Sequence, residues 1–306
     1  MTGPHHDHKT LLAALPPEAR QELTRKSDRR GLLHLAGHLG LIAVLGTWVG
    51  LGLPFWPLAI WPLGIALAFL FTLQHECTHA TPFRSGWLNT AAGLVAGAVL
   101  VQPFYWFRLF HLAHHRHTND PDRDPELQGD AKPESWSALL WHLSTLGYWA
   151  GKLRVLSALA LGRADDDYIP PKARPRIIAE ARLLGLFYAG AAVFTAVVSP
   201  VLVWVWLIPL ASGFPVLRLY LLAEHGRCPA VANMFVNTRT TLTNRLVRYL
   251  AWNMPYHAEH HAYPAVPFHK LPAFHAHTRA ALTSVSPGYR SFTSDYVAGF
   301  GAPRTD

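Results

Sequence analysis

From Gly31 to Gln74 the chain contains no Asp, Glu, Lys or Arg, and the same holds from Leu183 to Leu217. These uncharged stretches run to 44 and 35 residues. About 20 apolar residues suffice to cross a bilayer, so each stretch is near the length of a helical hairpin. Only 15% of the residues are charged and half are hydrophobic, against about 25% charged in an ordinary soluble domain. A chain of this kind is expected to be an all-α integral membrane protein with four transmembrane helices arranged as two hairpins.

The breaks lie where helix is hardest to sustain. Gly50, Gly52, Pro54 and Pro57 divide the first run and Ser199-Pro200 the second, because proline lacks the amide a helix interior needs. The spacing predicts spans at about 32–52, 55–75, 182–199 and 201–224. All 27 Lys and Arg fall outside the hairpin tips, so every basic segment lies on one side, read as cytoplasmic. If the source is bacterial, the membrane is the cell inner membrane. Residues 1–30 read as a cytoplasmic N-terminal tail, and 31–306 as a single membrane domain. The tail mixes acids with bases and lacks the form of a secretory signal. Its His5-His6-Asp7-His8 start reads as mobile, with stray metal binding open to it.

Two further apolar stretches do not fit the hairpin scheme. Ser85–Phe107 has 23 residues and no charge. Ser135–Leu161 carries Trp136, Trp141, Tyr148 and Trp149 beside Lys152 and Arg154. Both are expected to be interfacial or re-entrant helices with aromatic side chains at headgroup level. Residues 218–306 hold nine basic and four acidic side chains. That balance suits anionic lipid headgroups or an acidic electron carrier, and nothing points to nucleic acid. With only Cys77 and Cys228, neither a disulfide framework nor a thiolate zinc site is expected.

Histidine carries the chemistry. His75 and His79 stand at i, i+4; His111, His114 and His115 at i, i+3, i+4; His257, His260 and His261 repeat that triple. Read as helix, each set shares one face. His225 adds a ninth at the end of the last span. A tetrahedral zinc site needs four ligands, so nine divide more naturally between two metals with four or five each. Imidazole also suits copper, nickel and zinc, but nitrogen donors without thiolate favour a redox-capable pair, and iron is the obvious choice. The bare H-E-x-x-H match at His75-Glu76-Cys77-Thr78-His79 would suggest a membrane zinc metalloprotease, yet it leaves the other clusters unexplained. A metal transporter would place ligands near the bilayer midplane, where His34 and His38 are the only candidates in the uncharged runs.

HECTH at 75–79, HLAHH at 111–115 and HAEHHAYP at 257–264 together resemble the membrane fatty acid desaturase superfamily, which includes related hydroxylases, alkane monooxygenases and carotenoid ketolases. The likeness covers roughly residues 31–275. It implies four spans under a cytoplasmic histidine-rich cap, two iron ions, dioxygen as co-substrate and attack on an unactivated C–H bond. It further implies His75, His79, His111, His114, His115, His257, His260 and His261 as ligands, with His225 matching the family's isolated histidine after the last span. Asn253, one helical turn before His257, would hold a metal-bound water or cap a turn. Carboxylates are expected behind the imidazoles, with Glu224 and Asp120 foremost among Glu76, Glu224, Glu259, Asp120, Asp122 and Asp124.

The implied activity is desaturation of an acyl chain or lipid. Hydroxylation of a lipid, an alkyl chain or an amino-acid-derived headgroup at the same centre is the alternative. Arg227, Asn237, Arg239 and Asn244 are candidates to recognise a headgroup, or else residues of a solvated loop. No haem, flavin or iron–sulfur motif occurs in the sequence. Electrons would come from a ferredoxin or rubredoxin, or a b-type cytochrome, with its reductase.

Overall fold

The computed structural model describes residues 7–129 and 132–301. Short helices α1 (His8–Ala14) and α2 (Pro17–Leu23) lead into α3 (Asp28–Gly50). Ser27 caps α3 by accepting from the Arg30 amide, and Asp28 stands in its first turn, both favourable at the positive end of a helix. At about 1.5 Å per residue, α3 is long enough for the ~30 Å hydrocarbon core. The chain reverses over residues 51–55, where Gly52 and Phe55 adopt φ of 61° and 62°. Helix α4 (Trp56–Ala68) opens with Pro57, whose missing amide is harmless there, and α5 (Leu70–Thr78) continues it.

Helix α6 (Gly86–Leu100) descends beside α5, and α7 (Phe104–His117) leaves it at 99°. Val101 makes the corner at φ 55°. With His79 and His111 in contact beyond this bend, the segment returns to the side it started from, as the expected interfacial or re-entrant placement requires. A one-turn helix α8 (Pro125–Gly129) follows, then α9 (Trp136–Ser144) and α10 (Leu146–Ala160). The exposed Trp136, Leu140, Trp141, Leu146 and Leu153 suit α9 and α10 to the bilayer surface.

Helix α11 (Arg174–Val197) and α12 (Ile208–His225) form the second hairpin, with a π-helical turn at Val203–Leu207 between them. The third span starts before the expected residue 182. Its first turns carry Arg174, Arg176, Glu180 and Arg182, and the buried Glu180 accepts the Phe104 and Tyr105 amides of α7 at 2.6 and 2.8 Å. Those charges are therefore used at the membrane surface instead of ending the helix. Among the described residues four helices are long and apolar enough to cross a membrane, besides the bent α6–α7 pair, and the chain is an all-α integral membrane protein. The inner pair, α4–α5 and α12, crosses through glycine. A methyl on Gly64 would strike the Pro209 carbonyl, and one on Gly213 the Gly64 carbonyl, the close approach that small residues permit between spans. Outer faces of α3 and α11 show Leu33, Val44, Leu183, Leu186 and Val193 to the surroundings.

The cap is completed by α13 (Met234–Asn237), α14 (Arg245–Leu250), α15 (His257–Ala262), α16 (Leu271–Thr278) and α17 (Tyr289–Ala298). A two-residue parallel pairing joins β1 (Thr240–Thr241) to β2 (Val285–Ser286). The tail expected to be mobile is, from residue 7, packed on this cap. His8 is buried and its amide donates to Asn233 Oδ1 at 3.3 Å, Leu15 and Leu23 are buried, and Lys270 pairs with Glu22. His5 and His6 lie outside the described residues.

Candidate metal centre

Four elements bring nine imidazoles to one place at the end of the helical bundle. The last turn of α5 carries His75 and His79, α7 carries His111, His114 and His115, α12 ends on His225, and α15 carries His257, His260 and His261. They sort into two adjoining groups. Nitrogens of His75, His79, His111, His115 and His260 lie within 4.8 Å of one another, as do those of His114, His225 and His261. His257 joins the second group, its Nε2 3.2 Å from that of His225 and 3.1 Å from that of His261. The groups touch where the His115 and His261 rings stack at 3.9 Å.

The fit to metal can be tested on the nitrogens themselves. His79 and His111 face each other Nε2 to Nε2 at 2.9 Å, and His114 faces His225 at 3.3 Å. Both ring nitrogens of His115 and of His260, and His75 Nε2, are buried with no hydrogen-bond partner among the described residues. Buried polar groups are normally satisfied. Burial, reinforced by neighbouring charges, lowers the His79 pKa to about 3 and takes His111, His115, His257, His260 and His261 well below the usual range. The rings are therefore neutral near pH 7, as ligation requires. Lone pairs converging without protons are what a cation would satisfy.

Behind the rings stand acceptors that aim them. His114 Nδ1 donates to Asp124 at 2.9 Å and lies 3.0 Å from Glu126. Glu224 and Glu76 stand 3.4 Å from His257 Nδ1 and 3.5 Å from His260 Nδ1, close by but without a hydrogen bond to these nitrogens among the described residues. His261 Nδ1 meets Thr118 Oγ1 at 3.1 Å, and His225 Nδ1 meets the Asn237 carbonyl at 3.4 Å. At His114, His261 and His225 this leaves Nε2 for the centre, the arrangement that fixes tautomer and orientation in metal-binding histidines. His114 differs electrostatically: burial opposes its protonation, but the Glu126 charge and the Asp124 hydrogen bond outweigh that and raise its pKa.

Asp120, expected beside an imidazole, instead accepts from Arg123 Nε at 2.8 Å on the surface, and Asp124 stands at the ring in its place. The signal for Asp124 was present in Asp124-Pro125-Glu126, an N-cap followed by proline at the first helical position. Asp124 receives the Glu126 amide at 3.0 Å and the Asn119 amide at 2.8 Å, so the NDPDRDP loop turns that carboxylate inward. Thr118, two residues from the nearest candidate carboxylate, gave no such signal. Asn253 sits in a left-handed turn with its amide nitrogen on the Phe268 carbonyl at 3.0 Å. Glu259 faces Thr240, His275 and Thr278 and ties the third histidine cluster to α16.

Several other sequence candidates have structural work. His38 contacts the Ala66 carbonyl at 2.9 Å and receives Trp252 Nε1, while His34 meets the Tyr249 carbonyl at 2.8 Å. Glu76 Oε2 accepts from Thr81 Oγ1 and the Phe268 amide, which ties this carboxylate to the loop after α5 and to the α16 side of the cap. Arg239 donates to the Ala223 and Gly226 carbonyls, Asn237 to Thr118 and Val231, and Asn244 caps α14. Arg227 lies over Tyr296. These four therefore brace the cap.

An all-helical membrane scaffold with a histidine cluster able to hold metal defines a class of membrane protein built around a candidate metal centre. The family model for fatty acid desaturases matches residues 54–293, which takes in all three histidine clusters. The chain belongs to the fatty acid desaturase family. It is similar to the sn-1 oleoyl-lipid 12-desaturase of Anabaena variabilis, 29% identical over 174 residues covering 49% of this chain and 46% of the relative. It is also similar to the dihydrorhizobitoxine desaturase of Bradyrhizobium elkanii, 25% identical over 89% of this chain and 80% of the relative. A third relative is the sn-1 oleoyl-lipid 12-desaturase of a Picosynechococcus strain, 33% identical over 40% of this chain and 37% of its own length. The match thus spans less than half the length of the Anabaena and Picosynechococcus relatives.

Proposed function

We propose that this protein is a di-iron desaturase that removes two hydrogens from adjacent carbons of an acyl chain or lipid. The reaction balances as one CH2–CH2 unit, one dioxygen, two electrons and two protons giving one CH=CH unit and two waters. His75, His79, His111, His115 and His260 would hold one iron, and His114, His225, His257 and His261 the other. Bound there, the two irons supply the redox chemistry for activating dioxygen and breaking an unactivated C–H bond. The reading rests above all on the two adjoining groups of buried ring nitrogens, several without partners. The desaturase names of the relatives support alkene formation over hydroxylation, and the oleoyl-lipid names support an acyl substrate.

The remaining tasks fall to the chain's own residues. Asp124 and Thr118 hold protons on the Nδ1 side of His114 and His261 and keep Nε2 facing the centre, with Glu224 and Glu76 close to His257 and His260. Phe71 stacks on His75 and Phe107 on His111, giving the centre an apolar wall that excludes water. Asn253 is a candidate to position a water there through its carbonyl oxygen. The two electrons come from an external donor, a ferredoxin or rubredoxin or a b-type cytochrome with its reductase, docked on the basic side of the molecule, which is taken as cytoplasmic.

The test joins metal analysis to product analysis. Purified protein is expected to hold two irons per chain, and cells expressing it to accumulate a molecule lighter by two hydrogens. His260→Ala should lose both. One zinc per chain, or a product that gains an oxygen atom, would overturn the corresponding part of the proposal.

A further inference from the structure

The mechanism leaves the buried cation Lys152 unused. Lys152, on α10, is 8% exposed, and among the described residues its ammonium has one hydrogen-bond acceptor, Gln102 Oε1. Its other neighbours are the Tyr148 ring at 4.9 Å and the Phe214 ring at 5.8 Å. Gln102 lies at the corner between α6 and α7, and its backbone carbonyl accepts from Gln74 Nε2 at 3.0 Å. Gln74 directly precedes His75. Gly97 makes the meeting possible, since a methyl there would lie 2.6 Å from Gln74 Nε2.

The hydrogen-bond inventory does not close. Gln102 Nε2 and Gln74 Oε1 are both buried with no partner among the described residues. An ammonium has three donors and a carboxamide nitrogen two, so four N–H groups remain beside a single free acceptor. A carboxylate has about four acceptor positions. Water would satisfy the amides but leave the ammonium's charge uncompensated, which is costly in a buried site. Burial, and then the Arg218 guanidinium, pull the Lys152 pKa well down, and an anion beside it would act in the opposite direction.

We propose that Lys152 and Gln102 bind the carboxylate of the substrate, with Gln74 Oε1 accepting from a neighbouring hydroxyl or amine where the substrate has one. The substrate class is thereby an acid with a free carboxylate, not a fully esterified lipid. This rests on the desaturase reading and adds the end of the molecule that is held while the C–H bond faces the histidines.

The test compares lipid and aqueous extracts, by mass spectrometry, from cells expressing the full chain, His260→Ala and Lys152→Met. The expected product depends on His260 and carries a free carboxylate. In Lys152→Met it falls by about tenfold or more, the loss of a charge-assisted contact, while membrane abundance and metal content stay at the unaltered level. A His260-dependent product with no carboxylate, or one formed equally by Lys152→Met, overturns this inference and leaves the desaturase reading standing. Absence of any His260-dependent product overturns that reading and this one with it. Should Lys152→Met not accumulate, Lys152→Arg keeps the charge but alters its reach. It is expected to raise the acid concentration needed for half-maximal turnover in membranes, and an unchanged value overturns the inference.

Discussion

Asp124 carries more of the centre than its place in a polar loop suggests. It is 1% exposed, accepts two backbone amides, and faces His114 Nδ1. Asp124→Asn would keep the shape and lose the charge, so metal affinity is expected to fall about 10- to 100-fold, the usual effect of removing such a support. Titration of the purified variant with ferrous iron measures it, and unaltered affinity would contradict the assigned role. The rings themselves set a pH dependence for the metal-free protein. His79 is held at about 3 against about 6.5 unfolded, so between those values the unfolded state binds more protons and stability rises with pH. The buried rings therefore cost nothing above about pH 6.5, and stability is lost steadily on acidification toward 3. His114, raised above its usual range, works oppositely, favouring the fold at low pH and losing that effect as pH rises through its folded value. His111, His115, His257, His260 and His261 are lowered with His79, so the rings of the centre together give a positive slope. Thermal unfolding of metal-free protein from pH 7.5 to 4.5 should show a falling midpoint, and a flat profile would refute the burial argument.

Helix α7 owes its position to a residue on another helix. Glu180 of α11 accepts the first two amides of α7, Phe104 and Tyr105, at the end where the helix dipole favours a negative charge. Glu180→Ala leaves both donors buried, a loss of about 1–3 kcal/mol, and should loosen the histidines at 111–115. The expected result is lower iron content with the protein still in the membrane; iron retained at two per chain would show that α7 is held by packing alone. The inner helix pair rests on Gly64 and Gly213, each against the other helix's backbone. Gly213→Val forces the spans apart at a cost of about 1–3 kcal/mol or more. It should lower the thermal midpoint in detergent more than the same change at Gly185, which has open space around it.

The whole molecule is a membrane bundle closed at one end by a cap whose elements come from most of the chain. Metal is expected to bind α5, α7, α12 and α15 together, and a ligand that binds only the folded state stabilises it. Chelation should therefore lower the unfolding midpoint, and iron should restore it; no change on chelation would mean that the cap is held without metal. Much of this was legible in the sequence. The two uncharged runs determined the hairpins, because no soluble packing needs 44 residues without charge. Helical spacing determined that each histidine set shares a face, because periodicity is local. The sequence also required Ser85–Phe107 to return to its starting side, since two sets meant to share metal cannot stand across a bilayer. The tertiary structure alone decided the grouping of five and four, the choice of Asp124 over Asp120, the packing of residues 8–23 on the cap, and the meeting of Lys152, Gln102 and Gln74. Each joins side chains from separate elements, and the distance between elements is set by packing, down to which glycine lets two backbones touch. Residue type says what a group can bind, and only the fold says what stands opposite it.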